Sequence, residues 1–183
     1  DLVVFPYEKD GWQHLYALDI KSGATRLLTP GDGEVENVIQ SADKKQVIYT
    51  TNIANINRRH IWKVTVSDGT ATQLTKGNEV EWSPLNAESG TIILHSSATH
   101  PAWPALLKND GSIQDIAAEE FPKEFPSASL VIPEVVTVTA SDGMKIPATL
   151  FLPKDYKAGE KHPALIFFHG GSRRQMLPAF HYM

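Results

Sequence analysis

The sequence predicts a mainly β protein, in which part of a β-propeller with four-stranded antiparallel blades is followed by a shorter section of another kind. Short segments of alternating apolar residues recur 46 residues apart, and tight Gly turns separate the strands within each copy. A period of about 40–45 residues with four strands per copy is typical of propeller blades. The repeat fades after Asp115, and a continuous apolar run near the end of the chain has no counterpart in it.

Two segments carry the repeat clearly and a third carries it more weakly; they are residues 15–23, 61–69 and 106–116. Each contains a dipeptide that favours a hairpin turn between alternating apolar residues: Ser22-Gly23, Asp68-Gly69 and Asp110-Gly111. Polar turns followed by short β-branched strands lie between the copies. Residues 1–117 should therefore form a partial propeller of about two and a half blades, and such blades need neighbours to bury their faces. An antiparallel sandwich with chance self-similarity is the alternative.

Several conspicuous side chains recur with the repeat, which favours structural roles for them. His14 and His60 occupy equivalent positions and are predicted to stabilise their blades rather than form a site. The recurring tryptophans are predicted to pack in the core or between blades: Trp12, Trp62 and Trp82. Arg58 and Arg59 are predicted to be solvated loop charges.

Composition excludes several classes of function. The 183 residues include 17 Lys and Arg against 21 Asp and Glu, and the net charge of −4 argues against binding to nucleic acid or to an anionic membrane. The absence of cysteine excludes disulfides, thiolate metal ligands and thiol nucleophiles. The histidines show no metal-ligand spacing, so neither a metal nor a cofactor is expected. No apolar run reaches the roughly 18 residues of a membrane span. Cytoplasmic and periplasmic locations both fit this composition.

The last third of the chain has a different character. Residues 118–133 are rich in proline without a clear period and are predicted to be a linker. A hairpin is predicted next, with its turn at Asp142-Gly143, and residues 164–168 predict a strand buried on both faces. That run ends at His169-Gly170-Gly171, and two hairpin strands, a buried strand and such a loop are how an α/β-hydrolase domain begins. Residues 134–183 are therefore predicted to be the truncated N-terminal part of that domain.

The His169-Gly170-Gly171 loop is the candidate catalytic element. Loops in this position supply one half of the oxyanion hole, and glycines let the backbone approach a substrate and point N–H groups at it. Either the imidazole N–H of His169 or a backbone N–H of Gly170 or Gly171 would donate, and the backbone donor is favoured. Ser172 lacks the spacing of a nucleophile elbow and is not expected to be a nucleophile.

Over its whole length the chain resembles the prolyl oligopeptidase family of serine peptidases, which includes the dipeptidyl-peptidase and acylaminoacyl-peptidase relatives. The resemblance rests on residues 10–16 (DGWQHLY), 58–62 (RRHIW), 81–84 (EWSP) and 163–176 (PALIFFHGGSRRQM). Members of this family place a β-propeller over an α/β-hydrolase domain. Many carry a Tyr hydroxyl at the end of the third strand, where this chain has His169, and that departure leaves the identity of the oxyanion donor open.

The resemblance implies that the chain is a fragment of a serine peptidase that hydrolyses short peptides through an acyl-enzyme. The Ser-Asp-His triad would lie beyond residue 183, so this segment alone should be inactive. An esterase-like α/β-hydrolase and a non-catalytic, TolB-like propeller that serves as a binding scaffold are the alternatives. Arg173 and Arg174 follow the glycine loop and could bind a substrate carboxylate or carbonyl, although an ion pair between domains is favoured for them. Open propeller edges predict self-association of the isolated piece.

Overall fold

The fold is mainly β, as predicted. The computed structural model describes residues 1–171 and 174–180, and within them the chain forms three successive antiparallel sheets followed by a separate two-stranded hairpin. The first sheet has three strands and the second and third have four each. The third copy of the repeat, which is the weakest in sequence, therefore forms a complete four-stranded sheet.

The strands follow one another along the chain and pair mostly with their sequence neighbours. The first sheet contains β1 (Leu2–Glu8), β2 (Gln13–Asp19) and β3 (Thr25–Leu27). The second contains β4 (Val35–Gln40), β5 (Gln46–Thr51), β6 (His60–Thr65) and β7 (Ala71–Gln73). The third contains β8 (Val80–Ala87), β9 (Gly90–Ser96), β10 (Trp103–Leu107) and β11 (Ile113–Asp115). The hairpin is β12 (Glu134–Thr139) with β13 (Lys145–Leu150).

The predicted turns between the last two strands of each sheet require glycine. Gly23, Gly69 and Gly111 have φ angles of 71°, 79° and 84°, in the left-handed region that disfavours side chains with a Cβ. The spacing of these glycines therefore reflects a backbone requirement that repeats with each sheet.

The second and third sheets contact each other along their first strands, β4 and β8, whereas the first sheet contacts β4 through β2. Asn37 in β4 and Ser83 in β8 both have positive φ, at 35° and 51°, and each lies at an irregularity in its strand pairing. The Asn86 side-chain amide donates to the Gln40 carbonyl at 2.6 Å, across the same 46-residue offset as the sequence repeat. The 46-residue offset of the sequence repeat thus appears again in the contact between the second and third sheets.

Apolar side chains from neighbouring sheets form the core. Between the first and second sheets the buried cluster contains Leu15, Ala17, Leu28, Val35, Val47, Tyr49, Val64 and Val66, with Trp62 packed against it. Burial raises the pKa of the Tyr49 hydroxyl to about 12. A second cluster joins the second and third sheets through Ile48, Ile61, Ile93, Ala105 and Leu107. Trp82 is buried in a third cluster, so Trp62 and Trp82 have the packing roles that the sequence predicts.

The predicted linker carries short helical turns and a chain of aromatic contacts. Two 3₁₀ helices, Ala118–Glu120 and Ser127–Ser129, lie within it. Phe121 stacks on His100 with ring centroids 4.8 Å apart, and edge contacts continue to Phe125 and then to Phe180. The linker is therefore packed against the third sheet and reaches the last described residue of the chain.

The section after the linker agrees with the sequence in part. The predicted hairpin forms, with Gly143 at a φ of 91° in its turn, and its two strands are largely exposed. The strand predicted at residues 164–168 is wrong for this structure, because no strand is assigned there and side chains such as Leu165 and Phe168 are 96% and 86% exposed. A central strand is buried only when strands and helices cover it, and the described residues supply none for this segment.

A histidine in the third sheet, His95, is expected to make the stability of the chain depend on pH. His95 lies between two carboxylates, with Nδ1 3.2 Å from Glu79 Oε2 and Nε2 2.6 Å from Asp115 Oδ1, and His100 stacks on its ring. The hydrogen bond to Glu79, together with that to Asp115, raises the pKa of His95 above its usual 6.5 although burial opposes this. The stabilisation that protonated His95 gives the folded chain is therefore complete below pH 6.5. It is lost as the pH rises through the pKa of His95 in the folded state.

The melting temperature should accordingly fall between pH 6 and pH 8.5 by more in the unmodified chain than in a His95→Gln variant. Glutamine keeps a polar side chain of similar reach and cannot become charged. Scanning calorimetry across this range measures the difference. Parallel curves for the two proteins would show that His95 does not carry the linkage.

Candidate functional site

The His169-Gly170-Gly171 loop is exposed and extended. Gly171 has a φ of 86°, in the left-handed region, and no atom lies within 4 Å of the position a Cβ on Gly170 would take. The His169 ring lies back on its own loop, with Nδ1 3.3 Å from the Gly170 carbonyl oxygen. Within the part of the chain that the structure describes, neither glycine N–H donates a hydrogen bond. The loop therefore presents open backbone, as an oxyanion donor must.

The described residues that follow this loop in the chain, from 174 onward, lie against the second and third sheets. The Arg174 N–H donates to the Gly171 carbonyl at 3.2 Å, which links the two described segments. We call residues 175–180 the docking segment, because they lie against the loops β5–β6 and β9–β10 and the start of β8. Its last residue, Phe180, donates its N–H to the Ser97 carbonyl at 3.0 Å.

An apolar contact holds the centre of the docking segment. Leu177 is buried against Val80 and Trp82 at the start of β8, and Leu94 and Ala179 pack around the same cluster. Burying a leucine side chain contributes about 1.5–3 kcal/mol. The segment therefore has its own anchor on the third sheet, apart from its polar contacts.

Gln175 makes the polar contacts at the other end of the docking segment. Its side-chain oxygen accepts from both terminal nitrogens of Arg59, at 3.4 and 3.3 Å, and its amide donates to the Ile56 carbonyl at 3.0 Å. Arg59 Nε also donates to Glu36 at 3.0 Å. The amide and the guanidinium thus join the docking segment to the β5–β6 loop.

The prediction that Arg59 is a solvated loop charge is wrong, because the residue is 6% exposed. Glu36 and Gln175 enclose it from 23 residues before and 116 residues after it, which no local pattern indicates. Arg58 is half-buried and donates to the Pro178 carbonyl at 3.4 Å. Burial lowers the pKa of the Arg58 guanidinium, and the charge of Glu81 opposes that shift.

Arg173 lies outside the described residues, as does Ser172. Arg174 is exposed and forms no ion pair with any residue that the structure describes. Arg59 and Gln175 instead make the longest-range hydrogen bonds between two side chains in the described part of the chain, and the sequence singled out neither as a candidate site residue. The only feature of the sequence that could have indicated this contact was the position of Gln175, four residues after Gly171.

A buried polar network joins the second sheet to the start of the third. His60 Nδ1 and the Thr75 hydroxyl each lie 2.7 Å from Glu81 Oε2, and Glu81 is completely buried. The Thr75 oxygen also accepts from the Ile61 N–H at 2.9 Å. His60 and Thr75 therefore both bind Glu81 Oε2, whereas Glu81 Oε1 is buried without a hydrogen-bond partner among the described residues, and His60 lies within the packed interior of the sheets. No cluster of three or more metal-ligating side chains occurs in the described ranges.

The fold and a family match define a class, the propeller-bearing region of a prolyl oligopeptidase-type peptidase. Residues 2–103 match the sequence model of the family described as the dipeptidyl peptidase IV (DPP IV) N-terminal region. Because this match spans more than half of the chain, the protein belongs to that family.

A curated relative and several solved structures agree with this assignment. A probable dipeptidyl peptidase 4 of Aspergillus flavus is 30% identical over 90 residues, which is 48% of this chain and 12% of the relative. A puromycin hydrolase S511A mutant complexed with PGG has a TM-score of 0.69 at 16% identity, covering 87% of this chain and 26% of that structure. The dipeptidyl peptidase 4 of Porphyromonas gingivalis has a TM-score of 0.68 at 20% identity, covering 85% and 23%.

The TM-scores show that the chain has the same fold as part of each solved structure. The coverages show that it corresponds to a small part of each relative's length. The chain spans about an eighth of the curated relative and about a quarter of the solved structures. Among the described residues, none lies in a helix with the length and apolar character needed to cross a bilayer.

Proposed function

We propose that the protein to which this chain belongs is a serine peptidase that hydrolyses short peptides, and that residues 169–171 supply half of its oxyanion hole. In this proposal residues 1–117 belong to the propeller, residues 118–133 form the linker and residues 134–183 begin the α/β-hydrolase domain. The triad would lie outside this chain. Arg173 and Arg174 would lie near the substrate, and the isolated piece would self-associate through its open sheet edges.

The observation that carries the proposal is the position of the docking segment against the second and third sheets. It holds the chain against the loops of the second and third sheets from Gln175 onward, four residues after Gly171, and so limits how far the exposed glycine loop can lie from those loops. A loop that presents open backbone next to the propeller is suited to meet a peptide that approaches through the propeller. The 87% coverage by the puromycin hydrolase structure exceeds what residues 1–133 could supply, which supports a shared fold beyond the linker.

The whole protein and this chain alone should differ in activity. We expect the product of the complete reading frame to react with a fluorophosphonate and to release p-nitroaniline from dipeptide anilides with Pro or Ala before the scissile bond. The 183-residue chain should do neither, since the proposed triad is absent from it.

The alternatives give different outcomes in the same assay. Hydrolysis of p-nitrophenyl acetate without cleavage of any peptide anilide would indicate an esterase. A whole protein that neither reacts with the fluorophosphonate nor cleaves any of these substrates would contradict the proposal and favour a binding scaffold.

A further inference from the structure

We propose that Arg59 is a positioning residue for the glycine loop and that it acts through Gln175. This inference rests on the proposed function, because it assigns the propeller a role in holding the oxyanion donors at the right place. Neither residue would touch the substrate. The propeller would thus help to set the geometry of the peptidase site.

The contacts at Gln175 fix both ends of its amide. The oxygen accepts from Arg59 and the nitrogen donates to the Ile56 carbonyl, so rotation of the amide would break contacts on both sides. An amide held from two directions has one orientation and one position relative to the β5–β6 loop. Gln175 is therefore suited to fix the backbone that carries it.

Arg59 is itself held rigidly. Its Nε donates to Glu36 in β4 at 3.0 Å and its Nη1 donates to the Arg58 carbonyl at 3.2 Å, in addition to the contacts with Gln175. A planar guanidinium with donors used in several directions loses little further freedom when one more acceptor binds. The burial of Arg59 also shields these interactions from solvent, which strengthens them relative to a surface pair.

The path from Gln175 to the glycine loop is short. The Arg174 N–H hydrogen bond to the Gly171 carbonyl ties the residue before Gln175 to the glycine loop. Leu177 anchors the segment on the other side of Gln175. Loss of the Gln175 clamp would leave the segment docked through Leu177 and would free the loop that bears Gly171. Misplacement of a catalytic group by about 1 Å can cost about a hundredfold in rate.

The test uses the whole protein and separates kcat from KM. Gln175→Ala should lower kcat about tenfold to a hundredfold with less than about a threefold change in KM, since transition-state stabilisation is lost and substrate contacts remain. Arg59→Met, which keeps an apolar stem, should lower kcat to a similar extent. The double variant should be no slower than the slower single variant, because both changes remove the same interaction.

Two further variants test whether the loss of kcat depends on the contact between Arg59 and Gln175. Gln175→Glu retains an acceptor for Arg59 and should keep more of the activity than Gln175→Ala does. Arg26→Ala is the matched control, because Arg26 is an exposed arginine that donates to the Ser67 carbonyl of the next sheet and lies away from the docking segment. It should leave kcat unchanged.

The outcomes distinguish this inference from the proposed function. An unmodified whole protein without peptidase activity would overturn the proposed function itself. An active protein in which Gln175→Ala keeps its kcat, or in which the Arg59 and Gln175 losses multiply, would overturn the positioning role alone. Thermal melts of each variant exclude a loss of kcat that follows merely from unfolding.

Discussion

Replacing His60 with phenylalanine is expected to lower the free energy of unfolding of this chain by about 3–5 kcal/mol, which is the usual cost of removing one partner of a buried pair. His60 Nδ1 lies 2.7 Å from Glu81 Oε2, and Glu81 has no exposed surface. Phenylalanine fills most of the volume and removes the ring nitrogen. The Glu81 carboxyl group would then rely on Thr75 alone among the partners of Oε2.

The sequence repeat supplies the control for this experiment. His14 occupies the equivalent position on the first sheet and is equally buried, but its partner is Asp10, which is 58% exposed and 3.4 Å away. A carboxylate in solvent loses little when its partner is removed. His14→Phe should therefore cost much less than His60→Phe in urea unfolding followed by tryptophan fluorescence. Equal losses would show that ring volume, and not the contact with Glu81, sets the stability.

The comparison of these two histidines also shows what the sequence could predict. Their 46-residue spacing identified them as structural, and the turn glycines placed the strands around them. The spacing did not indicate that only His60 contacts a buried carboxyl group. Its partner Glu81 lies in the following sheet, and the residue 46 positions before Glu81, which would be the matching partner of His14, is Val35. Repeats predict backbone architecture well, and they predict the polar contacts between sheets only where both partners repeat.

The candidate site shows the same limit in a different form. The glycine loop was proposed from its composition alone, and its place in an oxyanion hole stays a prediction. The contact between Arg59 and Gln175 was not predicted, since its partners are 116 residues apart and each looks like an ordinary polar surface residue. The prediction of a buried strand at residues 164–168 is wrong for the opposite reason. Its sequence reports the burial that a complete sheet would give it, whereas the described residues leave it exposed.

The exposed glycine loop leads to the prediction with the largest effect on activity. Gly171→Ala in the whole protein should lower kcat about 10²–10³-fold, the usual cost of losing one oxyanion donor. The φ of 86° at Gly171 disfavours any residue with a Cβ, although the space around it would admit one, since the nearest atom is 3.6 Å away. Alanine would therefore rotate the backbone out of this conformation and move the adjacent N–H groups.

Gly143→Ala is the matched control, because Gly143 has a φ of 91°, equally open surroundings and a position in the β12–β13 turn. It should lower the melting temperature without lowering kcat, since the strain is similar and the turn lies outside the proposed oxyanion loop. His169→Ala separates the two possible donors. If backbone N–H groups donate, as we favour, this variant should lose far less activity than Gly171→Ala, and steady-state kinetics on a dipeptide anilide measures both. The reverse order would assign the donor to the imidazole, and full activity in both variants would mean that the oxyanion is bound elsewhere.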